Sequence, residues 1–105
     1  MPQTIAELVQ YIDNINTDIF KILKLEMDDI GKFLETLTNI LERIDITSRL
    51  IQANDFGLDG MIITNSICEI VESVENEDYR YINAILENEI YTILNNWRNI
   101  LSRLV

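Results

Sequence analysis

Few side chains in this sequence could carry out covalent or acid–base chemistry. There is no histidine, which is the commonest general base and a frequent metal ligand, and the only cysteine is Cys68. No histidine can activate Cys68 as a nucleophile, and a helical wheel places it near the edge of an apolar face. A single cysteine also excludes an intramolecular disulfide. We therefore predict no catalytic residue and interpret Cys68 as a small side chain at a packing boundary.

Carboxylates offer the remaining route to chemistry. Glu69 and Glu72 are three residues apart, and Glu87 and Glu89 lie together on a later segment. A di-iron site in a helical bundle usually uses Glu-x-x-His pairs that point into the core. This chain has no histidine, and the four glutamates are not predicted to point into the core. The acidic segment 54–60 lacks EF-hand spacing, and no glycine-rich phosphate loop is present. We expect no metal and no cofactor, and a carboxylate-dependent enzyme is a distant alternative.

Charge limits the possible partners. The chain has 105 residues, 18 of them acidic and 8 basic, and its net charge is −10. Residues 50–97 hold most of the imbalance, because Arg80 is their only basic residue. Nucleic acids and anionic membranes repel such a surface, so we expect neither as a partner. No signal segment or long apolar span is evident, which favours the cytoplasm.

Apolar residues recur at steps of three and four, as in amphipathic α-helices. The first predicted helix begins after Thr4, which forms a capping box with Glu7. A tight turn is predicted near Met27, and Asp28 or Asp29 caps a second helix that extends toward residue 53. The predicted inward residues of these two helices are Ile5, Leu8, Ile12, Ile15, Ile19 and Ile22, followed by Ile30, Leu34, Leu37, Leu41 and Ile44.

Segment 54–60, with asparagine, aspartate and two glycines, is the clearest break in the pattern. Phe56 and Leu58 are expected to cover the end of the bundle. A third, shorter helix follows, and Asn76 or Asp78 caps a fourth. The predicted inward residues are Ile63, Ile67, Ile70, Val71 and Val74, followed by Tyr79, Ile82, Leu86, Ile90, Ile93, Trp97, Ile100 and Leu104.

Four amphipathic helices with short connections predict an all-α fold, an antiparallel four-helix bundle formed by a single domain over residues 1–105. The alternative is a three-helix protein in which residues 5–44 form one long bent helix. Measurable strand content would exclude both arrangements.

The stretch from Asp78-Tyr79 through Ile85-Leu86-Glu87-Asn88-Glu89 to Trp97, together with the turn 54–58, resembles a group of small all-helical bacterial proteins of unknown function. The resemblance extends from Asn54 to Trp97 and implies an all-helical fold without supplying an activity. Asn88 stands where an aromatic residue is expected. At the level of the fold, the chain is also similar to flagellar export chaperones and secretion-system helper proteins.

Tyr81 and Ile85 fall on the outer side of the fourth predicted helix, beside an acidic region. An apolar stripe within an acidic surface is typical of a docking face. The candidate partner-binding residues are Glu69, Glu72, Glu77, Asp78, Tyr81 and Ile85. We predict a non-enzymatic cytoplasmic adaptor or chaperone-like bundle that binds a protein partner or a second copy. The alternative is an acidic immunity or inhibitor protein that neutralises a basic toxin.

Overall fold

The computed structural model describes residues 2–25 and 28–105. That part of the chain is helical and contains no strand, which confirms the predicted all-α class. Its elements are α1 (Ile5–Leu23), α2 (Ile30–Ala53), α3 (Thr64–Glu75), α4 (Tyr79–Ile85), a π-helical turn (Leu86–Ile90) and α5 (Tyr91–Ser102). The last three follow one another without a break, and we call them together the C-terminal helix. None of the helices described is both long enough and apolar enough to cross a membrane.

The first two helices are separate, so the alternative with one helix over residues 5–44 is wrong. Helix α1 ends at Leu23 and α2 begins at Ile30. The predicted turn lies between them, although Met27 itself is outside the described residues. Asp29 caps α2, because its Oδ1 accepts a hydrogen bond from the Lys32 backbone N–H at 3.0 Å.

Two other predicted caps are also present. Thr4 Oγ1 accepts from the Glu7 backbone N–H at 3.1 Å and so begins α1. The reciprocal half of the capping box is displaced by one residue, since Glu7 Oε2 accepts from the backbone N–H of Gln3 rather than of Thr4. Asp78 caps α4 through a 3.3 Å bond from the Tyr81 backbone N–H.

Helix α1 runs antiparallel to the C-terminal helix. Arg98 Nε lies 3.0 Å from Asp13 Oδ1, and the rings of Phe20 and Tyr91 meet edge to face with centroids 5.0 Å apart. Residue numbers therefore rise along α1 as they fall along α5. Asp18 is paired with Arg43 of α2. These contacts place α1 between α2 and the C-terminal helix.

The α2–α3 connection closes one end of the bundle. Phe56 lies beside Ile5, Leu8 and Leu50, so the end of α2 meets the start of α1 and these helices are also antiparallel. Phe56 and Leu58 are half-buried against the core, as predicted. Gly60 is buried against α2, and its N–H donates to Gln52 Oε1 at 3.0 Å. A Cβ at Gly60 would come within 2.9 Å of the Gln52 backbone nitrogen, so this contact requires glycine.

The apolar seam of α1 is confirmed from Leu8 to Ile22, whereas the second half of the C-terminal helix differs from its prediction. Leu94 and Leu101 are fully buried, Ile93 and Ile100 are half-buried, and Leu104 follows the helix and is 49% exposed. The cause is the π-helical turn. It holds one more residue per turn than an α-helix would, and the Tyr91 N–H bonds to the Leu86 carbonyl five residues earlier. The buried positions therefore advance by one residue from 93 to 94 and from 100 to 101, whereas Trp97 is buried as predicted.

In α2 the predicted inward residues Leu37 and Ile44 are buried, but the centre of the inward face is displaced from the other predicted positions. Its buried apolar side chains are Phe33, Leu37, Ile40, Ile44 and Ile51. The predicted positions 30, 34 and 41 are only half-buried, because they lie along one edge of a broad apolar face.

In α3, Val71 was expected inside and is 47% exposed. The inner face of α3 instead includes Ser66 and Ser73, which are both buried. The Ser73 hydroxyl donates to the Glu69 carbonyl at 2.8 Å, and the Ser66 hydroxyl donates to Glu89 Oε1 at 2.9 Å. Because these bonds satisfy the hydroxyls, serines can occupy positions 66 and 73 on the inner side, which the predicted apolar face of α3 did not include.

Candidate functional site

A three-residue turn joins α3 to α4 and brings the candidate residues together. The Glu77 N–H donates to the Val74 carbonyl at 3.1 Å, and the Asp78 N–H donates to the Ser73 carbonyl at 2.9 Å. These two bonds are the Schellman pattern that ends many helices. Glu77 occupies its left-handed position, with φ of 56°. The chain then reverses at once into α4, so α3 and α4 form an antiparallel hairpin.

Four of the predicted partner-binding residues meet on the outside of this hairpin. The Tyr81 hydroxyl points to Glu69 Oε2 across a long hydrogen bond of 3.4 Å. A shallow depression of about 310 Å³ surrounds this pair. It is lined by Glu69, Glu72, Ser73, Asn76, Asp78 and Tyr81. The structure therefore places together residues that are up to 12 positions apart in the sequence.

Glu89 extends this surface and was not among the predicted residues. It lies in the π-helical turn, accepts the hydrogen bond from Ser66 of α3, and contributes to the electrostatic field at Tyr81. Its spacing of eight residues from Tyr81, slightly more than two helical turns, was the signal available in the sequence. We use the name acidic surface for Glu69, Glu72, Asp78, Tyr81 and Glu89.

The acidic surface raises the pKa of Tyr81 above its ordinary value of 10.0. The negative charge of Glu69 is the main cause, because a nearby carboxylate disfavours the tyrosinate form. Partial desolvation and the hydrogen bond to Glu69 act in the same direction, and the carboxylates of Glu89 and Asp78 add smaller effects. Tyr81 therefore keeps its proton, and its neutral hydroxyl, to a higher pH than a tyrosine at the ordinary pKa would.

Ile85 does not belong to this surface, so its predicted position on the outer side of the helix is wrong. Its side chain is 1% exposed and belongs to the hydrophobic core. The inward face of α4 is wide enough to include positions 82, 85 and 86, which the narrower predicted seam did not allow. Glu77 is exposed in the turn but does not line the depression.

The acidic residues of the third and fourth helices lack basic partners within the described residues. The four ion pairs there are Lys21–Asp18, Arg43–Asp18, Arg49–Asp45 and Arg98–Asp13. None of them uses a carboxylate from residues 50–97, which carry nine of the 18 acidic side chains. The charge asymmetry of the sequence thus becomes an uncompensated negative surface.

Two further observations concern the cysteine and possible metal ligands. Cys68 is exposed on α3. Across residues 2–25 and 28–105, no group of three or more cysteine or carboxylate side chains is arranged to hold a metal ion. Comparisons with protein-family models, curated proteins and solved structures find no match to this chain.

Proposed function

We propose that this chain is a non-enzymatic cytoplasmic interaction module, an adaptor or chaperone-like bundle that binds a protein partner through its acidic surface. One observation carries the proposal: carboxylates from α3, the turn and the C-terminal helix converge around Tyr81 without ion-pair partners among the described residues. Unpaired surface charge of one sign steers a partner of the opposite sign and selects against others. Tyrosine supplies a large, rigid contact with a polar end, as is common at protein interfaces.

The inventory of side chains also favours a binding role over an enzymatic one. The chain has no histidine, and its one cysteine is exposed. The buried polar residues of the described chain are Asn16, Thr47, Ser48, Ser66 and Ser73, and none of them is a carboxylate. Paired carboxylates serve as acid and base when burial separates their pKa values, and no such pair exists there.

Affinity capture from the source cells with matched variants tests the proposal. The wild-type protein is compared with the double variant Glu69→Gln/Tyr81→Ser, and captured proteins are quantified by mass spectrometry. Both positions lie outside the hydrophobic core, so circular dichroism should show an unchanged fold. We expect one partner to be enriched by the wild-type protein and lost by the variant.

The control variant Glu35→Gln/Glu42→Gln changes exposed carboxylates of α2 and should retain the partner. Equal recovery by all three proteins would contradict the proposal. A second copy of the chain as the sole captured protein would indicate self-association instead.

The second candidate is an immunity or inhibitor protein for a basic toxin, and the same uncompensated charge favours it. Small acidic domains block cationic enzymes by matching their charge and binding fast. A gene for a basic nuclease beside the gene for this chain would favour this candidate. Addition of the chain should then abolish the nuclease activity, and unchanged activity would dismiss the inhibitor role.

A further inference from the structure

Helix α3 exposes a whole face on the outside of the molecule. Cys68, Val71, Glu72 and Glu75 follow the spacing i, i+3, i+4 and i+7, which places them on one side of a helix, and all four are exposed. We call this set the outer face of α3. Met61 and Ile62, which precede α3, are also exposed, at 53% and 55%. The main helical neighbour of α3 is α4, which lies against another side.

The outer face of α3 has an apolar part and an acidic part. Val71 and Cys68 form its apolar part, and Met61 lies beyond its N-terminal end. Glu72 and Glu75 provide charge, and Glu72 also belongs to the acidic surface. None of these carboxylates takes part in an ion pair within the described residues. An unpartnered helix face of this kind matches an amphipathic helix whose apolar stripe is bordered by lysine or arginine.

We infer that the outer face of α3 docks a basic amphipathic helix of a protein partner. The inference rests on the proposed function and adds the chemical class of the partner and the place where it lies. Apolar side chains of that helix contact Val71 and Cys68, while its basic side chains reach Glu72, Glu75 and the adjacent acidic surface. Charge complementarity selects this occupant, since the face carries negative charge and a net charge of −10 opposes a second copy of the same chain.

The single cysteine gives a direct measure of occupancy without any substitution. Cys68 is exposed on the docking face, so a bound helix should shield its thiol from alkylation by iodoacetamide. The probe is a synthetic leucine–lysine peptide of about four helical turns, long enough to span α3. A peptide of the same composition with a scrambled, non-amphipathic order is the control. Binding is followed by fluorescence anisotropy, and alkylation by mass spectrometry.

We expect the amphipathic peptide to bind about tenfold more tightly than the scrambled peptide and to slow alkylation of Cys68 in proportion to occupancy. Val71→Ser should weaken binding about fivefold to tenfold, because the apolar contact near the centre is lost. Leu104→Ser is its matched control, since Leu104 has similar exposure at 49% and lies elsewhere. It should bind like the wild-type protein.

The charge contribution is tested separately. Glu72→Gln/Glu75→Gln should weaken peptide binding about fivefold and reduce its salt dependence. Glu35→Gln/Glu42→Gln removes the same charge from α2 and should have a smaller effect.

Several outcomes would overturn the inference. Equal binding of the two peptides would mean that charge alone attracts them. Peptide binding with an unchanged alkylation rate of Cys68 would place the peptide on another surface. A rate that falls with protein concentration in the absence of peptide would identify a second copy as the occupant. A captured cellular partner that is lost by Glu69→Gln/Tyr81→Ser but kept by Val71→Ser would reject this docking face and leave the proposed function standing.

Discussion

At the residue scale, Glu77 has a left-handed backbone conformation that the turn requires but that a glutamate side chain disfavours. The left-handed conformation at the end of α3 is one that glycine adopts freely, whereas other L-residues are destabilised by roughly 1–2 kcal/mol there. Glu77 holds this conformation at φ of 56° because the Schellman bonds and the Asp78 cap fix the turn from both sides. The tight α3–α4 hairpin, and with it the acidic surface, depends on this turn.

Glu77→Gly should therefore raise the free energy of unfolding by about 1 kcal/mol, because it removes the steric conflict of the left-handed conformation. Urea denaturation followed by circular dichroism measures the change. Glu75→Gly is the matched control, since it removes the same charge from the last residue of α3 and should destabilise by up to about 1 kcal/mol. Equal destabilisation by both variants would contradict this account of the turn.

Tyr81 provides a second test at this scale, through its ionisation. Glu69→Gln should lower the pKa of Tyr81 toward 10.0, because the Glu69 charge is the largest cause of its elevation. The ultraviolet absorbance of tyrosinate, taken as the difference between each protein and its Tyr81→Phe counterpart, reports the midpoint. Glu75→Gln is the control and should leave the midpoint nearly unchanged. If Glu69→Gln left the midpoint unchanged, Glu69 and Tyr81 would not interact in solution, which would contradict the prediction.

The raised pKa also has a defined effect on stability. The folded state holds the Tyr81 proton more tightly than the unfolded chain does. The stabilising contribution is therefore complete below pH 10.0 and is lost as the pH rises through the raised pKa.

At the element scale, the C-terminal helix explains why sequence periodicity predicted one part of the core and missed another. The seam of α1 was predictable from Leu8 to Ile22 because that helix is regular along its length. The first half of the C-terminal helix was also placed correctly at Ile82, Leu86 and Ile90. The π-helical turn then adds a residue, and a constant period of 3.6 has no means of detecting it.

Alanine substitutions at two adjacent positions test the π-helical turn: Leu94, which is buried in the structure, and Ile93, which a regular period predicts to be buried. Leu94→Ala should lower the free energy of unfolding by about 2–5 kcal/mol, because Leu94 is fully buried. Ile93→Ala should have a smaller effect, since Ile93 is half-buried. Urea denaturation measures which variant loses more free energy of unfolding. A larger loss for Ile93→Ala would contradict the π-helical turn, because an uninterrupted α-helix predicts that result.

The candidate site was predictable to the extent that it depends on caps and local spacing. Asp78 was a recognisable cap, and Glu69, Glu72 and Tyr81 were correctly expected outside the core. The burial of two residues was predicted wrongly: Ile85 was expected outside and is buried, and Val71 was expected inside and is exposed. Serines line the inner side of α3. The Ser73 hydroxyl donates to the Glu69 carbonyl within the helix, and the Ser66 hydroxyl donates to Glu89 in a tertiary contact that the sequence pattern does not show.

At the scale of the whole molecule, charge is divided between the two halves of the bundle. The four ion pairs of the described chain tie α1 to α2 and α5 or lie within those helices. The carboxylates of residues 50–97 remain uncompensated there, so their mutual repulsion opposes the compact state.

We therefore expect the melting temperature to rise by a few degrees when sodium chloride increases from about 10 to 200 mM, because salt screens this repulsion. Differential scanning calorimetry measures the shift. Sodium fluoride at the same ionic strength is the control for specific chloride binding and should give the same rise. A fall in melting temperature would mean that the ion pairs outweigh the repulsion.

The arrangement of α3 has a consequence for motion. Helix α1 lies between α2 and the C-terminal helix, whereas α3 rests mainly on α4 over an inner side that includes two serines. Helix α3 has one buried apolar side chain, Ile70, whereas α1 has five, so local opening should begin at α3. In deuterated water, the amides of α3 should exchange before those of α1. Helix α3, which carries the exposed thiol and carboxylates, would then unfold locally before the other helices. It could adapt its shape while the rest of the bundle stays folded.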